Sequence, residues 1–283
     1  MNSIIEKILI LDFEATCGYE IYEPEIIEFP VVILNTQNLM IEGFFHSYVQ
    51  PISNQKISKF CTSLTGITQQ QVDFAPKFPK VLELFEKWLI ENEFLDKDKN
   101  VIGNWVFLTC SDNDFETLLE SQLKVEKNIK RPSYFNKWID LQKIYSDFYG
   151  FNNPKSLKNM IKEMEIEMEG NFHSGFDDAK NTARVIVKLI LDGVSFGFEN
   201  CTFWKTKEEE EKNEKIEEFD FFSDPNLTIY QKQQKYKEFL KKKGKKTRRR
   251  IRVVEGNVAY YVQQDGSSEE DEDLKFISRK KRF

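Results

Sequence analysis

The chain has only four cysteines, Cys17, Cys61, Cys110 and Cys201, and no two of them form a CxxC pair. That spacing excludes a Cys-rich zinc site and a dithiol redox motif. Thiols spread this widely are read as reduced residues in or near the core, which favours an intracellular compartment; the location expected for the chain is the cytoplasm and/or the nucleus, nucleolus included. Also missing are a cationic leader followed by an apolar segment and any apolar run near the ~20 residues that cross a bilayer. A soluble chain with no membrane partner is expected. Histidine is scarcer still, with only His46 and His173, and no internal repeat is found.

What is present divides into two parts. Over residues 1–200 the 40% hydrophobic and 14% aromatic content of the chain supplies a substantial core. Over 201–283 the sequence is mostly charge: "KTKEEEEKNEKIEE", acidic runs at 208–218 and 269–273, and a block from Lys241 to Arg252 with nine basic residues in twelve. The net charge of −6 is therefore a mean over segregated blocks. Such a tail buries too little apolar surface to offset its ordering entropy, so a largely extended or disordered extension is expected. Within it "IRVVEGNVAYYVQ" (251–263) has strand-like content and a turn at Glu255-Gly256-Asn257 that suits a hairpin.

In the first part "KILILDF" (7–13), "EFPVVILNT" (28–36) and "EGFFHSYVQP" (42–51) read as strands. Their connections are too short for crossover helices, so they are expected to run antiparallel. "FPKVLELFEKWLIENEF" (78–94) carries apolar residues at helical spacing, and "NVIGNWVFLTC" (100–110) reads as a buried strand. "SDNDFETLLESQL" then predicts a helix capped by Ser111 or Asp112, followed by helices over roughly 138–149 and 155–166 and by "DDAKNTARVIVKLILDG", closed at Gly193. This order predicts an α/β fold: a mixed sheet, three antiparallel strands plus parallel ones, flanked by helices.

The core strand "KILIL" runs straight into two acids, Asp12 and Glu14. On an extended chain residues i and i+2 point the same way, so the two carboxylates face one side while Phe13 turns to the core. Like charges this close repel unless a cation lies between them, and hard divalent ions suit oxygen ligands. Further acids at strand ends and helix starts are Asp114 and the pair Asp177 and Asp178, just after His173. Asp177 is read as a helix N-terminal charge favoured by the dipole. A histidine as general base beside such acids and two metal ions makes a consistent phosphodiester-cleaving set. His46, in mid-strand, is read as structural, and Trp105 and Phe107 as support for the site's floor.

"DFEATC", "CTSLTGITQQQVD" and "HSGFDDAKNTARV" together resemble the DEDDh group of 3′-to-5′ exonucleases, in particular the Eri-type exoribonucleases that process histone mRNA, small RNAs and rRNA ends. The resemblance covers about residues 7–195. It implies an RNase H-like fold and a two-metal hydrolysis, with two Mg²⁺ or Mn²⁺, that releases nucleoside 5′-monophosphates from RNA 3′ ends. Position by position, it implies Asp12, Glu14, Asp114 and Asp178 as metal ligands and catalytic residues, with His173 as general base. The second motif offers Asp112 as well as Asp114; Asp114 is chosen because Leu118 and Leu119 then face the core. Ala15 and Thr16, with Leu64 and Ile67 of the "LTGIT" loop, match the parts that hold the terminal nucleotide. Because "DFEATC" begins at Asp12, no SAP-type RNA-binding domain is expected before it, and RNA recruitment is expected from the basic block at 241–252. A ribosome or other ribonucleoprotein is a further expected partner of that tail, with the domain as a resident component as the alternative reading.

Overall fold

The computed structural model describes residues 5–19, 21–205, 251–255, 258–262 and 276–277. By contacts the chain divides into Met1–Trp204 and Lys205–Phe283. In the first unit β1 (Lys7–Leu11) lies between β3 (Ile26–Asn35), antiparallel, and β5 (Trp105–Thr109), parallel. Beyond β5 come β6 (Lys137–Asp140), parallel, and β7 (Cys201–Phe203), antiparallel. On the other side β4 (Ile41–Tyr48) pairs antiparallel with β3. A two-residue strand β2 (Glu14–Ala15) also pairs with β3: Glu14 opposite Glu28 continues the β1–β3 register, and the register shifts between Glu14 and Ala15. The three antiparallel strands read from the sequence are β1, β3 and β4, and the parallel pair is built on β5 and β6.

Alternation in β1 explains the two-sided core. Leu9 and Leu11 join one cluster, with Phe29, Phe85, Phe107 and Phe135. Ile8 and Ile10 join the other, with Ile139, Tyr145, Ala179 and Ile186, as a period of two requires. Helix α3 (Phe78–Glu91) covers the first face through Val81, Phe85 and Leu89. Helices α5 (Leu141–Tyr149), α6 (Leu157–Glu163) and α7 (Gly175–Leu191) supply residues to the second.

Three local departures from the sequence reading matter for the site. The helix expected from 138 begins at Leu141, because Lys137–Asp140 is spent on β6, where Trp138 and Ile139 are both fully buried; Asp140 caps the helix by accepting from the Gln142 and Lys143 N–H groups. Two short helices, α1 (Lys59–Thr65) and α2 (Gln69–Asp73), stand on either side of Gly66 in the "LTGIT" loop, where the sequence reading assigns no helix. Finally, the helix after β5 opens with a π turn over Asp114–Leu118, closed by the Leu119 N–H donating to the Asp114 carbonyl, and turns α-helical only in α4 (Leu119–Glu126).

In the second unit β8 (Ile251–Glu255) and β9 (Val258–Val262) pair antiparallel, and β10 (Phe276–Ile277) adds to β9. Gly256 and Asn257 of the expected turn, both acidic runs, residues 241–250 of the basic block and the closing "RKKR" lie outside the described residues. No helix among the described residues is long and apolar enough to cross a membrane.

Candidate active site

Asp12 and Glu14 stand where β1 gives way to β2. Phe13 between them is buried against Phe29, ring centroids 4.7 Å apart, so the backbone is pinned by core packing while the flanking carboxylates are left at the surface of the sheet. Glu14 faces Glu28 across the ladder.

Asp114 arrives from the end of β5. It is buried, and its Oδ1 accepts from the Phe13 N–H at 2.8 Å, which ties the second acid motif to the backbone between the first two acids. The π turn holds this residue inward, and Phe115 beneath it packs on Phe107 and Trp138. Phe107 thus supports the floor directly, whereas Trp105 is one layer back, its indole N–H donating to the Phe94 carbonyl. Asp112 is engaged elsewhere, accepting from the Trp138 indole N–H at 2.7 Å.

The third contribution comes from the start of α7. His173 is exposed and has a left-handed backbone, φ 64°. That turn aims its N–H at Asp178 Oδ2, 2.7 Å away. The other oxygen of Asp178 is buried and has no hydrogen-bond partner among the described residues. Close approach of the helix requires glycine at 175, since a Cβ there would lie 2.3 Å from the Asp12 carbonyl oxygen. One carboxylate oxygen each of Asp12, Glu14 and Asp178 then falls within 4.8 Å of the others.

The electrostatics follow from this crowding. Burial, then Asp114, Glu14, Asp178 and Glu28 in turn, push the Asp12 carboxyl well above its ordinary range. Glu14 is raised to about 9 by burial and then by Glu28, Asp178 and Asp114. Burial raises Asp114 to about 7 although the Phe13 N–H opposes it, and raises Asp178 to about 6 although the His173 N–H pulls it down. Among the described residues no donor reaches the carboxylates of Asp12 or Glu14. Clustered oxygens, one of them buried without a donor, and no Lys or Arg paired with these acids among the described residues fit a hard divalent metal.

The nucleotide-contact residues are placed unevenly. Leu64, on α1, is exposed, but Ile67 packs inward with Ile27, Cys61 and Val72. Ala15 belongs to β2, its carbonyl accepting from the Cys61 thiol. The Thr16 N–H donates to the Glu25 carbonyl and its hydroxyl oxygen accepts from the Glu25 N–H. Sequence reasoning passed over Gly175 and Glu28. Glu28 was visible as a lone acid inside "IIEFPVVI"; Gly175 carried no signal beyond its place in "HSGFDD".

A mixed sheet with acids converging from the ends of β1 and β5 and from the first turn of α7 defines an RNase H-like fold that carries a carboxylate cluster. The chain belongs to the exonuclease family, whose model, described as Exonuclease, matches residues 9–186. It is 41% identical over 200 residues to the 3′-5′ exoribonuclease 1 of Rattus norvegicus, covering 68% of this chain and 55% of that protein. It is 36% identical over 202 residues to the 3′-5′ exonuclease Snipper of Drosophila melanogaster, covering 67% of this chain and 71% of that one. Among solved structures, the nuclease domain of 3′hExo, a DEDDh family member bound to rAMP, is 39% identical with a TM-score of 0.61, covering 68% of this chain and 96% of that one. Exonucleases of the DEDDh class use divalent metals, and the acidic cluster to hold one is present here.

Proposed function

We propose that this chain is a metal-dependent 3′-to-5′ exoribonuclease that removes nucleoside 5′-monophosphates from RNA 3′ ends. The observation that carries the reading is the convergence of Asp12, Glu14 and Asp178 within 4.8 Å, with Asp114 tied in through Phe13. RNA rather than DNA is favoured by the rat relative, named an exoribonuclease, and by the rAMP in the solved neighbour.

In this reading Asp12, Glu14, Asp114 and Asp178 hold two Mg²⁺ or Mn²⁺. When bound, these ions offset phosphate charge, polarise phosphoryl oxygens and acidify a water. His173, exposed at the mouth, takes the proton of the attacking water; its backbone is fixed by the bond to Asp178, which leaves the ring free to swing onto substrate. Ala15, Thr16 and Leu64 border the terminal nucleotide, and Ile67 shapes the loop from beneath.

The test uses one single-stranded RNA labelled at either end. A 5′ label reports a ladder shortening from the 3′ end, a 3′ label reports release of mononucleotide, and EDTA stops both. The double variant Asp12→Ala/Glu14→Ala abolishes the activity; persistence of cleavage in that variant rules the reading out.

A second reading rests on the nine basic residues between Lys241 and Arg252: the tail tethers the domain to a ribosome or other ribonucleoprotein. Gradient sedimentation in a salt series checks it. A tethered protein travels with a large particle and leaves it as salt rises, whereas a free enzyme stays near the top.

A further inference from the structure

Glu28 is an acid in the middle of an apolar strand, 2% exposed, and it stands opposite Glu14 in the ladder. Its two oxygens have separate tasks. Oε2 accepts from the Gly175 N–H at 3.0 Å, joining β3 to the first turn of α7 across 147 positions of sequence. Oε1 lies 2.8 Å from His46 Nε2 on β4; a carboxylate only accepts, so the imidazole N–H donates.

The same place holds Phe176, the residue after Gly175. Phe44 and His46 of β4 pack on its ring at centroid distances of 5.0 and 5.3 Å, and the Lys180 ammonium lies over it at 4.7 Å. Glu28 therefore grips the backbone of the turn while β4 grips its side chain. The gripped residues lie between His173 and Asp178, the two groups that α7 brings to the site. With no room for a Cβ between Gly175 and the Asp12 carbonyl oxygen, a small shift of this turn changes the spacing between Asp178 and the Asp12–Glu14 pair.

A latch alone does not need a charge. A glutamine carbonyl accepts from the same N–H, and a buried carboxylate beside three others costs stability. We propose that Glu28, a residue outside the four-acid set, is a positioning residue: its carboxylate latches the first turn of α7 so that Asp178 and His173 meet Asp12 and Glu14, and its charge strengthens the cluster's hold on divalent cations. This inference rests on the nuclease reading above for what the cluster does, and on geometry alone for what Glu28 does.

The experiment compares full-length wild type, Glu28→Gln and Glu28→Ala. Calorimetric titration of the metal-free proteins with Mn²⁺ reads the charge, and single-turnover RNA cleavage at saturating Mn²⁺ reads the latch. Glu28→Gln, which keeps an acceptor for Gly175, binds Mn²⁺ about tenfold more weakly, as loss of a supporting partner of metal ligands does. Once saturated it cleaves near the wild-type rate, and it unfolds thermally no earlier than wild type. Glu28→Ala shows the weaker binding and, in addition, about a tenfold lower rate at saturation, because the turn is no longer held. Mn²⁺ affinity in Glu28→Gln equal to wild type overturns the proposal, as does a wild-type saturated rate in Glu28→Ala. If Glu28→Ala fails to fold, the glutamine variant still decides through its affinity. If wild-type protein cleaves no RNA, the nuclease reading fails, while the Mn²⁺ titration continues to test Glu28.

Discussion

Two buried acidic places flank the same end of β3, and they are built on opposite terms. Glu25, fully buried just before the strand, is saturated: its carboxylate accepts from the backbone N–H groups of Ile52, Ser53 and Asn54 and from the Asn54 side chain. Among the described residues Asp178, also buried, has one N–H on one oxygen and nothing on the other, and Asp12 and Glu14 have no donor. A carboxylate withdrawn from water must be balanced by donors or by a cation. Glu25 receives its donors from the fold. The Asp12 cluster lacks them, and its balance has to come from solution. Supply of hydrogen-bond donors, rather than burial or charge, separates the structural acid from those proposed to hold metal.

Exchanging the neutralisation state at each place tests that distinction most severely. Asp178→Asn keeps an acceptor for the His173 N–H but removes the charge from the cluster. Its cleavage rate falls roughly 10²–10³-fold, the several kcal/mol that a correctly held cation contributes to a transition state, while the metal-free protein is no less stable than wild type. Glu25→Ala does the reverse. It strips the acceptor from three backbone donors, destabilises the domain by about 3 kcal/mol in urea unfolding, and leaves Mn²⁺ affinity of the folded fraction unchanged. A stability loss in Asp178→Asn, or an affinity loss in Glu25→Ala, would break the comparison.

A smaller effect appears in the pH dependence of stability without metal. In the metal-free folded protein burial, joined at Glu14 and Asp178 by repulsion from neighbouring acids, pushes Glu14, Asp114 and Asp178 up to about 9, about 7 and about 6, against about 4 when unfolded. Between those limits the folded state holds protons that the unfolded state has released, so stability falls as pH rises. Melting of EDTA-treated protein is therefore expected to drop by several degrees from pH 5 to pH 8, and Mg²⁺ to restore more of it at pH 8 than at pH 5. A flat metal-free profile, or a Mg²⁺ increment independent of pH, contradicts the picture of mutually repelling acids.

How far the sequence discloses this site depends on whether the determinant is local. The Asp12–Glu14 pair is legible because two local rules coincide, an apolar strand and a period of two. Asp178 is legible from the helix start after His173. The π turn at Asp114 is not, because Phe115, Leu118 and Leu119 suit an α-helix equally well, and the widened turn places Phe115 on Phe107 of the preceding strand and on Trp138 of β6, which lies beyond the following helix. The strand Lys137–Asp140 is hidden for a related reason. A short parallel strand buried on both faces shows no alternation, and the helical spacing of Leu141, Ile144 and Tyr145 reads backwards through it. Helix α2 carried a local signal that the sequence reading passed over, Thr68 with Gln71, whose reciprocal capping bonds form in the structure. Glu28 was visible as an acid among apolar residues, but its partner Gly175 is 147 positions away, and no local pattern links them.

The ambiguity between Asp112 and Asp114 gives the mildest and most discriminating prediction. Both acids follow β5, but Asp112 faces the Trp138 indole and Asp114 faces the Phe13 N–H. In Asp112→Asn the amide oxygen still accepts from the indole, so the exchange costs less than about 1 kcal/mol of stability. Its Mn²⁺ affinity and cleavage rate match wild type. Asp114→Asn also keeps an acceptor for Phe13, yet it removes a charge from the cluster, and both metal affinity and rate fall. Because the two variants make the same chemical change two residues apart, the contrast isolates position from chemistry. Loss of activity in Asp112→Asn with retention in Asp114→Asn would transfer the second acid of the site to Asp112 and leave the π turn without a functional reason.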